Sequence, residues 1–223
     1  MAAVRESSSL FTIVLLSSEI ATILAAFQNA GYRDLTTLRA RLVPIYKSHY
    51  EPSFIRSQMQ LTHSLLETWF HTYGLVRLPK FLAFSTKFRL VMVQYAVYFG
   101  RMDLVAVIHP AVDLCLFHEP LVDLAALNGH TEMIKYLHRI GHPGESTAGI
   151  EWAAQNGHLT TLESLMEQIS VNEATKTSAI KLASRARHTT IVKFLQNSLD
   201  QPTTSKKDKT SLAESNLCDL VSK

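Results

Sequence analysis

Cysteine is scarce in this sequence: two residues, Cys115 and Cys218, stand far apart, the second in a polar tail. That does not indicate a disulfide framework and points to a reducing compartment. No Asn-x-Ser/Thr glycosylation acceptor occurs. Acidic residues are missing from Thr68 to Met102, while Arg77, Lys80, Lys87, Arg89 and Arg101 all fall inside. Such a stretch reads as a solvated basic face before it reads as a phosphate or acidic-partner site. The net charge of +3 is too small to indicate a nucleic-acid binder. Long apolar runs are absent too. "LFTIVLL" at Leu10–Leu16 is far short of the about 20 residues of a membrane span. Its continuation, Ile13, Leu16, Ile20, Leu24 and Phe27, has the spacing of an amphipathic helix rather than of a cleaved signal.

Enzymatic signatures are equally thin. There is no phosphate loop, no Gly-x-Gly-x-x-Gly and no His-Glu-x-x-His. "GESTAG" at Gly144–Gly149 misses the nucleophile elbow by one residue and follows no strand. Cys115-x2-His118 followed by His138-x3-His142 has zinc-ligand residue types. Its halves are separated by more than in a zinc finger, so convergence is not expected and no metal or cofactor is assigned.

What is present is a core and a repeat. Hydrophobic residues make up 47% of the 223, enough to bury a real interior. "AALNGHTEMIKYL" at Ala125–Leu137 returns as "AAQNGHLTTLESL" at Ala153–Leu165, and weaker copies run from Tyr95-Ala96 and Leu182-Ala183. The marker alanines Ala96, Ala125, Ala153 and Ala183 are 29, 28 and 30 residues apart. Each unit reads as two short helices: a first one with small residues for close approach, a glycine stop at Gly129 or Gly157, and a second one at helical spacing. A unit this short cannot bury its own apolar face, so it must stack on its neighbours.

"LAALNGHTEMIKYL" resembles the ankyrin repeat, whose first helix ends Ala-Ala-x-x-Gly-His and whose second runs x-x-x-Val-x-x-Leu. The resemblance covers about Thr86 to Ser198. Val122-Asp123, Ile150-Glu151 and Ile180-Lys181 stand where the family's Leu-His would be, and the spacing is below the usual 33 or so. These short copies resemble the divergent ankyrin arrays of oomycetes. The resemblance implies an all-α solenoid that binds another protein on its concave face, as a cytoplasmic scaffold or adaptor and not an enzyme. A secreted effector using the same repeats is the alternative, and a His/Cys zinc-binding protein a more distant one. It also implies that the two residues between Ala-Ala and Gly-His face solvent and touch the partner. These are Tyr98 and Phe99, Leu127 and Asn128, Gln155 and Asn156, and Arg185 with Ala186; for Tyr98 and Phe99 the alternative is burial against the cap. On that reading Asn156→Leu is close to neutral while Ala153→Leu overpacks the stack.

The expected organisation is a disordered N-terminus at 1–9, a helical N-terminal cap at 10–85, an ankyrin-like repeat domain of about four repeats at 86–199, and a disordered tail at 200–223. The chain is expected to act as a monomer, without nucleic acid or a membrane span. Within the cap, Leu61, Leu65 and Trp69 recur at i, i+4 and i+8, with Leu66, Phe70 and Tyr73 beside them, and predict a helix opened by Pro52.

Overall fold

The computed structural model describes residues 34–46, 48, 50–143 and 147–200. The expectations for 1–33 and for the tail after Asp200 lie outside the described residues. Among the described residues all regular structure is helical. A helical stretch at 34–41 is followed by α1 (Pro52–Tyr73), α2 (Leu78–Phe84), α3 (Thr86–Tyr98), α4 (Met102–Ile108), α5 (Leu121–Leu127) and α6 (Thr131–Arg139). The remainder is α7 (Ala148–Asn156), α8 (Leu159–Gln168), α9 (Glu173–Arg185) and α10 (Thr189–Asp200).

The last eight helices form four pairs, each holding one marker alanine. Within a pair the two helices pack on each other, and the first helices α3, α5, α7 and α9 stack in a row. That row depends on small side chains: Ala125, Ala126, Ala153 and Ala154 are all fully buried. Gly149 comes so close to the neighbouring α5 that an added Cβ would lie 3.4 Å from Ala126 Cβ. Ser85 and Asn172 cap α3 and α9 through their side-chain oxygens. In repeat 4 Ser184, at the register of Ala126 and Ala154, is exposed.

All four first helices end alike. The marker alanine's carbonyl accepts a hydrogen bond from the backbone N–H five residues on: Arg101 to Ala96 at 2.8 Å, His130 to Ala125 at 3.0 Å, His158 to Ala153 and His188 to Ala183 at 2.9 Å. This closure needs a left-handed residue one position earlier. Gly100, Gly129 and Gly157 supply it with φ of 63, 73 and 84°. At these three glycines a second demand is added. A Cβ would fall 2.6 Å from the His130 ring, 2.6 Å from the His158 ring and 2.7 Å from the His188 ring respectively, each in the following repeat. In repeat 4 the position is Arg187, with φ 64°.

The histidines complete the junction. His130 Nε2 donates to Tyr98 O at 2.9 Å, His188 Nε2 to Gln155 O at 3.2 Å, and His158 to Leu127 O. Each imidazole therefore sits on the glycine of the preceding repeat and donates to its backbone. Asp123 adds a further tie: fully buried, it accepts from the Gly149 N–H of the next repeat at 3.0 Å. It occupies the register of the histidine in the family's Leu-His.

The N-terminal segment departs from a simple end cap. Asp34 holds it together: its carboxylate accepts Arg77 Nη2 at 2.9 Å, Arg77 Nε at 3.0 Å and Trp69 Nε1 at 3.0 Å. Pro52 starts α1, where a missing N–H costs nothing. The buried stripe of α1 is Ile55, Met59, Thr62, Leu66 and Trp69. Of the apolar residues noted in the sequence, Trp69 and Leu66 are buried and Leu65 and Phe70 pack on the core. Leu61 is 62% exposed, because the face turned to the array lies about a quarter turn away.

Two expected outcomes follow from the junctions. Gly129→Ala must displace the His158 ring and strain the backbone, a loss of about 2–4 kcal/mol. Arg187→Gly relieves the same strain where no further ring packs, a gain of about 0.5–1 kcal/mol. Urea denaturation of both variants checks this, and equal effects of the same sign contradict it. The second outcome concerns pH. Burial holds the His130 and His158 pKa values below the ordinary 6.5, against the opposing effect of their carbonyl hydrogen bonds. Stability is then complete above pH 6.5 and declines as pH falls through the lowered folded values. The urea midpoint should drop between about pH 7.5 and about pH 5; a constant midpoint sinks the argument.

Candidate functional site

Two register positions describe the face that the first helices present: the residues two before and two after each marker alanine. In repeats 1 to 4 these are Gln94 and Tyr98, Asp123 and Leu127, Glu151 and Gln155, Lys181 and Arg185. The first two pairs are buried, with Leu127 at 1% and Tyr98 at 6% exposure. Glu151 is half-buried, while Gln155, Lys181 and Arg185 are exposed. One surface thus passes from closed to open along the array.

At repeat 1 the N-terminal segment supplies the closure, while Asp123 of repeat 2 is closed by Gly149 of the next repeat. At repeat 1 the Gln94 amide is fully buried and clamps Ile45 in both directions, accepting from its N–H at 2.9 Å and donating to its carbonyl at 2.7 Å. On α1, His63 Nδ1 lies 3.0 Å from Tyr95 Oη, and its ring packs 4.9 Å from Phe99. At repeats 2 and 3 the Tyr50 ring lies 5.1 Å from Trp152, and its hydroxyl donates to Pro120 O. Arg56 Nη2 donates to Asn156 Oδ1 at 2.7 Å. The segment expected to cap one end therefore also covers the first-helix face of repeats 1 and 2.

The expected partner residues divide accordingly. Tyr98 and Leu127 are corrected: they are buried, not solvent-facing. Phe99 is half-buried between His63, Tyr95 and Tyr98. Asn128 and Asn156 are half-buried and bind within the array. Asn128 Nδ2 donates to Tyr98 O at 2.8 Å, and Asn156 Nδ2 to Leu127 O at 3.1 Å. Each shares its carbonyl with the histidine two residues on, so Asn-Gly-His grips the preceding repeat as a unit. Gln155 and Arg185 remain open, Ala186 half-buried beside them. Thr177, Lys181 and Ser184 are exposed on the same helix as Arg185 and were not singled out by the motif. The loss of apolar character at the two register positions, from Leu127 to Gln155 and Arg185, was the available signal.

The other sequence candidates are also placed. Among the basic residues, Arg77 pairs with Asp34 and Arg101 with Asp103 at 2.6 Å. Lys87 Nζ donates to Arg39 O and Arg89 Nε to Leu82 O. The acid-free stretch is thus largely occupied in holding the N-terminal segment and repeat 1. Cys115 Sγ donates to Ile140 O at 3.2 Å, and burial, reinforced by Asp113, pushes its thiol pKa up. Among the described residues no three His, Cys, Asp or Glu side chains gather as a metal set. No helix among them is long and apolar enough to cross a membrane.

Replacing Asn156 with Leu is therefore not neutral. It removes donors to Leu127 O and Trp152 O and the acceptor of Arg56, at a cost of about 1–2 kcal/mol. Ala153→Leu, fully buried, costs about 1–3 kcal/mol. Guanidinium melts of the two variants should give comparable shifts; a shift under about 0.5 kcal/mol for Asn156→Leu would return that residue to the open surface.

Residues 122–210 match the family model of ankyrin repeats in three copies, the segment that holds repeats 2 to 4. No curated protein and no solved structure matches the chain. Repeat 1, outside that match, continues the stack with the same helix closure. With its paired helices, stacked alanines and Gly-His junctions, the chain resembles ankyrin repeat proteins and is an all-α helical repeat array.

Proposed function

We propose that the chain is a protein–protein interaction scaffold or adaptor whose partner docks on the first-helix face of repeats 3 and 4. Ankyrin repeats are in general protein-binding modules. The observation that carries the finer reading is the change at the two register positions, from buried Gln94, Tyr98, Asp123 and Leu127 to open Gln155, Lys181 and Arg185. Arg185 is the best anchor, since arginine carries much of the energy in protein interfaces. Arg56, Lys181 and Arg185 give this face a positive balance against Glu151, which suits an acidic partner segment. The reading is of a binding module and not of an enzyme, acting as a monomer in the cytoplasm, where the unpaired Cys115 is at home. A secreted effector would use the same face.

Affinity capture with the full chain, followed by mass spectrometry, identifies the partner. The double variant Gln155→Ala/Arg185→Glu should lose it, with affinity down at least about tenfold. Its stability should stay within about 0.5 kcal/mol of the parent, as both residues are exposed. Undiminished capture by a folded double variant would falsify this placement of the site.

A further inference from the structure

Tyr50 occupies a slot that the array builds and the chain's own N-terminal segment fills. Its floor is the Trp152 ring, 5.1 Å from the Tyr50 ring, and its polar end is the Pro120 carbonyl, which takes the Tyr50 hydroxyl. Three features set this contact apart from the rest of the cover. Tyr50 is not itself helical and stands two residues before the start of α1 at Pro52, so its departure breaks no helix. The slot adjoins the open face, because Trp152 lies on α7 between Glu151 and Gln155. Beyond it, Tyr46 and Phe54 flank Tyr50 in sequence and are 50% and 37% exposed, and the latch Arg56 to Asn156 is itself at the surface. At repeat 1, by contrast, Ile45, Gln94 and Tyr95 are buried and tightly joined.

We propose that the Trp152–Pro120 slot is a tyrosine-binding subsite, filled in cis by Tyr50 and in the complex by a tyrosine of the partner. This rests on the first-helix face being the docking face. Exchange of one tyrosine for another conserves the ring packing and the hydroxyl-to-carbonyl bond, and it extends the partner's footprint from repeats 3 and 4 onto repeat 2. Glu119 and Asp123 lie near enough to oppose negative charge on Tyr50 and, with burial as the larger cause, raise its hydroxyl pKa. The subsite therefore takes a neutral tyrosine that donates, and rejects an acidic or phosphorylated one.

The slot is tested without the partner, by filling it with p-cresol in the full-chain Tyr50→Ala variant. p-Cresol should raise the melting temperature of the variant and change its Trp152 fluorescence while leaving the parent, whose slot is occupied, unshifted. Toluene, without the hydroxyl, should do so several-fold more weakly. Tyr50→Phe should behave as the parent. Hydrogen exchange at α5 and α9 reports whether Tyr50→Ala keeps the array folded; Tyr50→Gly takes its place if the slot collapses. Equal shifts in parent and variants, or no preference for p-cresol over toluene in either variant, overturn the subsite. If p-cresol binds as expected but Tyr50→Ala captures the partner no better than the parent, the exchange is overturned while the docking face stands. Failure of the Gln155/Arg185 variant to lose the partner removes the docking face and leaves the slot.

Discussion

Everything in this array depends on one junction repeated three times: an imidazole lying on the glycine of the preceding repeat and donating a proton to that repeat's backbone. The glycine answers two demands at once, since its φ closes the first helix and its missing Cβ makes room for the ring. Neither a larger residue nor a different ring position satisfies both. The asparagine before the glycine binds the same carbonyl in two repeats, at Tyr98 and Leu127. Short helices that could not persist alone are in this way fixed in register with their neighbours.

On this frame the small residues of the first helices decide how close the repeats come. Ala125, Ala126, Ala153 and Ala154 allow the row to close, while in repeat 4 Ser184, at the register of Ala126 and Ala154, is left to water. On repeat 1 the N-terminal segment supplies a different closure, through the Gln94–Ile45 clamp and the aromatic packing of His63 and Phe70 on Tyr95. The same segment reaches repeat 3 through Tyr50 and Arg56, and the first-helix register positions left exposed in repeats 3 and 4 are Gln155, Lys181 and Arg185.

The repeat itself was legible in the sequence because its causes are local. Alanine spacing, glycine stops and helical apolar periodicity each act within a dozen residues, and all four helix pairs follow from them. The candidate site was legible only in part. Gln155 and Arg185 are exposed as the motif implied, but Tyr98 and Leu127 are covered and Asn128 and Asn156 are turned to the array. The motif gives the same expectation for all four repeats, whereas the cover treats them unequally. On α1 both Leu61 and Leu66 fit a helical period, and only the position of the array decides that Leu66 is buried and Leu61 is exposed.

By itself the sequence determined the helix pairs, their count, the places where they turn and the need for them to stack, since these follow from short-range sterics and from apolar faces too large for a single unit. The tertiary structure alone decided which part of the stacked face remains open. That outcome rests on Ile45 meeting Gln94 and on Tyr50 meeting Pro120. Such contacts, 49 and 70 positions apart in the chain, leave no periodic trace in it, because their geometry exists only once the repeats are assembled.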